Sequence, residues 1–354
     1  MAVHGGDIYT AVEVLKNKDI IDFSANINPF GVPDLVCKAI NENIDSLVNY
    51  PDPYNRKLRK ALSEFHNIPI ENIVCGNGGA DIIFRTAKAL KPHHALIPIP
   101  SFSEYEEALK ETECKITYFN MQYPFRSYEN ISEEIQKNCY DFLVLCNPNN
   151  PTGTLISPVT LHKILDISYA KGIFVLLDEC FCDMTEENQT LIKEYNIYPN
   201  VLILKSLTKM YAIAGLRVGY GISYDKKLIE KIRCTGQAWS VNTLAEIAGC
   251  TALKDTEYKK RFLEFLYKEK IYLYKGLKEL GFDVWYPNAN YIFFYSGSIT
   301  DLDKQLLKYR ILLRNCNTYR GLETGYYRTA VRTHKENEYL LSCLNEIVNR
   351  KEYL

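Results

Sequence analysis

The chain has 354 residues, room for roughly two domains of about 150 residues each and for a large buried core, which excludes a small disulfide-stapled scaffold. Hydrophobic residues make up 47% and charged residues 24%, and 42 basic against 43 acidic side chains leave a formal net charge of -1. That balance has neither the basic excess of a nucleic-acid binder nor the acidic excess of a disordered chain, so no nucleic-acid partner is expected.

In chain order, the first 40 residues show no clear strand-helix unit and are expected to pack on a second domain. Short apolar runs bounded by turn formers then recur at Ile73–Cys75, Ala95–Pro98, Phe142–Cys146, Phe174–Leu177, Val201–Leu204 and Val218–Ile222. Separated by longer amphipathic stretches, they predict a mainly parallel sheet covered by helices. After Pro158, Leu161, Ile164, Leu165 and Ile167 fall near helical spacing and stop at Gly172, the pattern of a crossover helix. From Asn242 to Leu280 the chain is charge-rich and helical, with Phe262, Phe265, Leu266, Tyr272 and Leu277 on one or two long helices. Val284–Tyr286, Tyr291–Tyr295 and Arg328–Val331 look like short strands between helices, an α+β pattern. The expected division is an N-terminal segment 1–40, a large domain 41–250 and a small domain 251–354.

The 11 cysteines are odd in number, irregularly spaced and without a CxxC pair, so neither a disulfide framework nor a metal site is expected. Cys180 and Cys182 alternate around Phe181 and are read as buried structural residues. The N-terminus lacks the basic stretch and apolar core of a secretory signal, and no apolar run approaches 18 residues, so the expected location is the cytoplasm, with no membrane partner.

One segment, Lys205 to Tyr220, concentrates the chemistry. It sets Lys209 in a small hydroxyl-rich turn after an apolar strand, with Arg217 further on, an unusual arrangement to build for stability alone. Gly76-Asn77-Gly78-Gly79-Ala80-Asp81 follows the strand Ile73–Cys75 and opens a helix from Asp81 to Leu90, whose free amides suit an anion. Ser206-x-Thr208-Lys209 with Gly215-Leu216-Arg217-x-Gly219-Tyr220 resembles the Schiff-base segment of pyridoxal-phosphate (PLP) enzymes with the aspartate-aminotransferase fold. Other segments follow that family's order along essentially the whole chain.

The resemblance implies an α/β chain of fold type I, with a large domain built on a mainly parallel sheet covered by helices and a smaller α+β domain. It also implies PLP as cofactor and a homodimer with active sites at the subunit interface. Lys209 is then the lysine that holds the aldehyde, its amine kept partly neutral by desolvation and a nearby cation. Arg217, Ser206 and Thr208, with the amides at Gly78, Gly79 and Ala80, would receive the cofactor phosphate. Asp178 matches the aspartate that pairs with the pyridine nitrogen and keeps it protonated. Asn150, in Cys146-Asn147-Pro148-Asn149-Asn150-Pro151-Thr152-Gly153, matches the contact to the phenolic oxygen. Phe102, in Pro100-Ser101-Phe102, matches the ring stacked on the pyridine, and Tyr50, in Asn49-Tyr50-Pro51, the tyrosine that reaches the partner's phosphate site.

Within the family the chain resembles both threonine-phosphate decarboxylases and histidinol-phosphate aminotransferases. His4-Gly5-Gly6-Asp7 followed by Asp22 to Gly31, including Asn26, looks like the decarboxylase opening; the aminotransferases usually carry an acidic residue where Ile27 stands. Phe181 stands where aminotransferase relatives carry a tyrosine, and Arg314-Asn315-Cys316 and Tyr327 to Thr333 resemble the decarboxylase's arginine-bearing stretches. The resemblance implies a small phosphorylated amino acid as substrate, with Arg328 at its carboxylate, Arg314 as a second anion contact, Asn26 nearby, and His4 and Arg332 towards the phosphate. A PLP-sensing regulator is the non-enzymatic alternative; it would need a DNA-binding module before Asp22.

Overall fold

The computed structural model of the chain describes residues 4–17, 19–187, 189–297 and 299–351. A two-residue strand, β1 (Ile21–Asp22), comes first, followed by β2 (Ile73–Gly76), β3 (His94–Ile99), β4 (Lys115–Asn120), β5 (Phe142–Cys146), β6 (Phe174–Asp178), β7 (Val201–Ser206) and β8 (Gly219–Ile222). Strands β2 to β8 form one seven-stranded sheet in the order β2-β8-β7-β6-β5-β3-β4. It is parallel except for β8, which runs antiparallel to both β2 and β7. Every residue of β5 and of β7 is buried, which is why these strands read as unbroken apolar runs. Strand β4 escapes that pattern: it lies at the sheet edge, its ends are exposed, and Lys115-Ile116-Thr117-Tyr118-Phe119-Asn120 mixes polar and apolar residues.

The crossover between β5 and β6 is the helix Pro158–Ala170. Ser157 caps it by accepting from the Thr160 amide at 3.2 Å, Pro158 occupies the first turn where no amide partner is needed, and Leu161, Ile164 and Leu165 are buried. The helix after β2 begins at Gly78 and runs to Leu90, three residues earlier than the sequence predicts, so the glycines themselves form its first turn. Helices Thr243–Ala252 and Thr256–Glu279 fill the charge-rich stretch, each started by a side-chain cap, Asn242 on the Ala245 amide and Asp255 on the Tyr258 amide.

The C-terminal part adds β9 (Asp283–Val284), β10 (Tyr291–Tyr295), β11 (Ile311–Leu312), β12 (Arg314–Asn315) and β13 (Tyr326–Ala330). Four of them make an antiparallel sheet in the order β12-β13-β10-β9, while β11 pairs in parallel with β1. The N-terminal segment continues along this region, with Ala330 donating its amide to the Phe23 carbonyl at 2.8 Å. Among the described residues, no helix is long and apolar enough to cross a membrane.

Candidate active site

Strands β5, β6 and β7 end in Cys146, Asp178 and Ser206, and all three residues line one cavity of about 640 Å³. A crevice outside the carboxyl ends of parallel strands is where such sheets bind ligands.

Asp178 is held between β5 and β7, in register with Cys146 on one side and Leu204 on the other. Its Oδ2 accepts from the Tyr105 hydroxyl at 2.6 Å and its Oδ1 from the Cys180 amide at 2.8 Å. Burial, and then the Asp178 charge, push the Tyr105 phenol well above its ordinary range, so it remains a protonated donor. The Cys180 thiol is pushed up by the same two causes and is an inert neutral group.

Lys209 stands on the turn after β7. Its Nζ lies 3.4 Å from Ser206 Oγ and 3.5 Å from Thr208 Oγ1, and those two hydroxyls are 2.7 Å apart. The same Nζ is 5.3 Å from the centroid of the Phe181 ring, which offers a π face and no hydroxyl. Asn28 ties this turn down, its amide donating to the Lys209 carbonyl at 3.1 Å and its side chain to the Met210 carbonyl at 2.8 Å.

At one end of the cavity the glycine turn meets Arg217. Gly78 has φ +83, and a Cβ there would sit 2.6 Å from Arg217 Nη2. A Cβ on Gly219 would sit 2.6 Å from the Gly79 nitrogen and 2.7 Å from the Gly78 carbonyl carbon, so β8 and the turn approach as closely as backbones can. Gly79 and Ala80, in the first turn of a 13-residue helix, line the cavity with Ser206, Thr208 and Arg217. Amides, helix dipole, hydroxyls and a guanidinium converge there, a donor set suited to a phosphate.

At the other end Arg328 is buried on β13. Its Nη2 donates to the Ser24 carbonyl at 2.8 Å, its Nη1 to Asn150 Oδ1 and, at 3.4 Å, to the Tyr319 hydroxyl. The Tyr319 hydroxyl also donates to Asn150 Oδ1 at 3.2 Å. Arg328 Nε and Asn26 Oδ1 are buried with no hydrogen-bond partner among the described residues. In the register of β12 and β13, Arg314 stands directly opposite Arg328, which puts two buried arginines on one face. Arg314 donates to Thr318 Oγ1 at 2.9 Å and lines an adjoining cavity of about 240 Å³, which shares His4, Gly5 and Ser24 with the first. His4 Nε2 lies 2.9 Å from Glu104 Oε1, and its ring is 5.8 Å from that of Phe102.

The cavity thus brings together Gly79, Ala80, Phe102, Asn150, Asp178, Ser206, Thr208, Lys209, Arg217, Arg328, Asn26 and His4, with Gly78 behind Arg217. Tyr50 lies apart, 81% exposed and stacked on Trp239 at 4.8 Å. Arg332 is also outside the lining, paired with Glu336 at 2.8 Å and donating to the Asp22 carbonyl at 3.0 Å. Among the lining residues that escape the sequence reading are Tyr105 and Tyr319. Tyr105, just after Phe102, could have been suspected from that proximity; Tyr319, one of 27 tyrosines in an irregular loop, carries no local signal.

A family model, Aminotransferase class I and II, matches residues 18–344. The threonine-phosphate decarboxylase of Salmonella typhimurium is 37% identical over 353 residues, covering 98% of this chain and 97% of its own. The histidinol-phosphate aminotransferase of Methanococcus aeolicus is 33% identical over 94% of this chain and 91% of its own. The crystal structure of the histidinol-phosphate aminotransferase from Clostridium acetobutylicum matches with a TM-score of 0.87 at 31% identity, covering 93% of this chain and 99% of that one. Parallel sheet, lysine turn and family match agree, and the chain belongs to the class I and II aminotransferases, enzymes that work with pyridoxal 5′-phosphate.

Proposed function

We propose that this enzyme decarboxylates L-threonine O-3-phosphate to (R)-1-aminopropan-2-yl phosphate, the aminopropanol phosphate of the cobalamin side arm. The observation that carries this reading is the buried cross-strand pair Arg314 and Arg328, with His4 on the wall between their two cavities. Such a pair suits one substrate bearing two anionic groups, a carboxylate and a phosphate. The identity with the Salmonella decarboxylase over nearly the whole chain supports it.

The residues fit the cofactor. The Gly78–Gly79 turn has no room for a Cβ beside Arg217, so amides and guanidinium face a common space of the kind a phosphate takes. Asp178, fixed by Tyr105 and Cys180, would pair with a protonated ring nitrogen. Asn150 Oδ1 is occupied by Arg328 and Tyr319, which leaves its Nδ2 to donate to a phenolic oxygen, and Phe102 offers a ring face. When bound, pyridoxal phosphate supplies an aldehyde that captures the substrate amine and a ring that accepts the electron pair left when a Cα bond breaks.

Lys209 would be the amine that holds the aldehyde and the acid that delivers a proton to Cα. Arg328 holds the carboxylate, while Arg314 and His4 hold the phosphate. Gripping the phosphate at Arg314 and the carboxylate at Arg328 separately would fix how the groups on Cα are turned, and that orientation selects which bond at Cα is lost. Loss of the carboxylate as carbon dioxide would leave its bonding pair behind, and a proton from Lys209 Nζ would take its place at Cα. Arg332, engaged by Glu336, is left out of this assignment. The exposure of Tyr50 supports a role in which it would reach the phosphate site of a second copy in a cytoplasmic homodimer.

Histidinol-phosphate transamination is the second reading, favoured by the likeness to the Clostridium enzyme. Purified holoenzyme given L-threonine O-3-phosphate is expected to release carbon dioxide, and to show little turnover of histidinol phosphate with 2-oxoglutarate. Efficient 2-oxoglutarate turnover without carbon dioxide release overturns the decarboxylase reading.

A further inference from the structure

Neighbours along a strand point to opposite faces, so each site residue at the ends of β6 and β7 has a partner facing away from the cavity. Asp178 and Ser206 line the cavity; Glu179 and Lys205 do not, and their side chains are 0% and 1% exposed. Lys205 Nζ lies 3.0 Å from Asp183 Oδ2 and 3.6 Å from Glu179 Oε2. Glu179 also accepts from the Leu191 amide at 2.8 Å and from the Thr190 hydroxyl. The second Asp183 oxygen is 3.8 Å from Lys259 Nζ on helix Thr256–Glu279. Two carboxylates and two ammonium groups therefore balance behind the site.

We propose that Lys205, Glu179 and Asp183 form a positioning unit that fixes Asp178, Phe181 and the Ser206–Lys209 turn relative to one another. The inference rests on the reading of Asp178 and Lys209 as the cofactor-binding pair. A buried ion cluster is a poor way to gain stability, because apolar residues of the same volume often do as well or better. It is directional, however. Each of its members lies one or two residues from a group that faces the cavity: Glu179 beside Asp178, Asp183 after Phe181, and Lys205 before Ser206. Removing the ammonium leaves the buried Glu179 carboxylate facing the partly exposed Asp183, and the less restrained of the two, Asp183 in the short turn Cys182–Met184, moves and carries the Phe181 ring away from Lys209. The arginines assigned to the substrate stand on a different sheet, on β12 and β13, and stay in place.

The test uses holoenzyme carrying K205M, K205R, D183N and the charge-balanced K205M/D183N, with K209A as reference. Measurements are the pH titration of the visible absorption band of the bound cofactor, cofactor affinity by tryptophan quenching, thermal midpoint, and kcat and KM. K205M is expected to displace the titration midpoint and to lower kcat by about tenfold to a hundredfold with KM changed far less, since a 1 Å misplacement costs about 10²-fold. K205R and K205M/D183N are expected to recover part of both. A folded K205M with unaltered titration and kcat overturns the proposal. Should K205M fail to fold, D183N, which keeps the Lys205–Glu179 contact, must show a smaller displacement of the same kind, and an unaltered D183N overturns it equally. If K209A retains the band, it is the site assignment that fails; if K209A loses the band and K205M is unchanged, only the positioning role does.

Discussion

Asp178 owes its usefulness to two donors, the Tyr105 hydroxyl and the Cys180 amide, that hold an acid in a buried place. Tyr105→Phe deletes one of them without opening a cavity. A hydrogen bond to a charged group is worth about 1.5–3 kcal/mol, so cofactor affinity is expected to weaken by roughly tenfold to a hundredfold while the fold persists. Equilibrium dialysis of the two proteins checks this, and equal affinities would remove Tyr105 from the site. The same residue illustrates what was legible. Lys209, Asn150 and Arg217 sit in contiguous motifs whose residue types serve chemistry, whereas Tyr105 and Tyr319 matter only through partners 73 and 169 positions away. No local pattern signals such a contact.

At the scale of elements, the strands that were legible are those buried on both faces, because full burial demands an unbroken apolar run; edge strand β4 makes no such demand. Helix Pro158–Ala170 was legible through the spacing of Leu161, Ile164 and Leu165; its start, like those of the two later helices, is fixed by a capping side chain, Ser157, Asn242 or Asp255, that satisfies the first free amides. How helix and sheet join is a separate matter. Helix Arg56–His66 meets β8 through its last residue, His66, whose Nε2 is 2.9 Å from the Tyr220 hydroxyl. Burial, reinforced by the Lys205 charge, lowers the His66 pKa from 6.5 to about 4. Between those values the unfolded chain binds a proton that the native chain does not, so stability falls as pH drops from about 6.5 towards 4. The thermal midpoint of the wild-type protein is expected to decline between pH 7 and 5, and that of His66→Gln, whose amide can still accept from Tyr220, to decline less. Parallel declines would show that His66 contributes nothing to acid sensitivity.

At the scale of the whole molecule, the end of the cavity around Arg328 exists only because distant parts of the chain converge. The N-terminal segment supplies Ser24 and Asn26, the loop after β5 supplies Asn150, and β13 supplies Arg328. Arg328→Lys keeps the charge but loses the planar fork that serves three acceptors at once. KM for the phosphorylated amino acid is expected to rise by roughly tenfold to a hundredfold with the visible cofactor band retained, because the aldehyde and phosphate of the cofactor are assigned to Lys209 and Arg217; loss of the band would mean that Arg328 holds the cofactor site together instead. From sequence alone came the alternation of strand and helix, the lysine turn and the glycine turn, since these depend on contiguous residues and short-range backbone chemistry. Only the tertiary structure decided that Arg314 stands opposite Arg328, that Arg332 is paired with Glu336, and that Lys205 is buried against Glu179 and Asp183. Those outcomes depend on strand register and on which charges lose their water together, quantities set by the packed chain and by no segment of it.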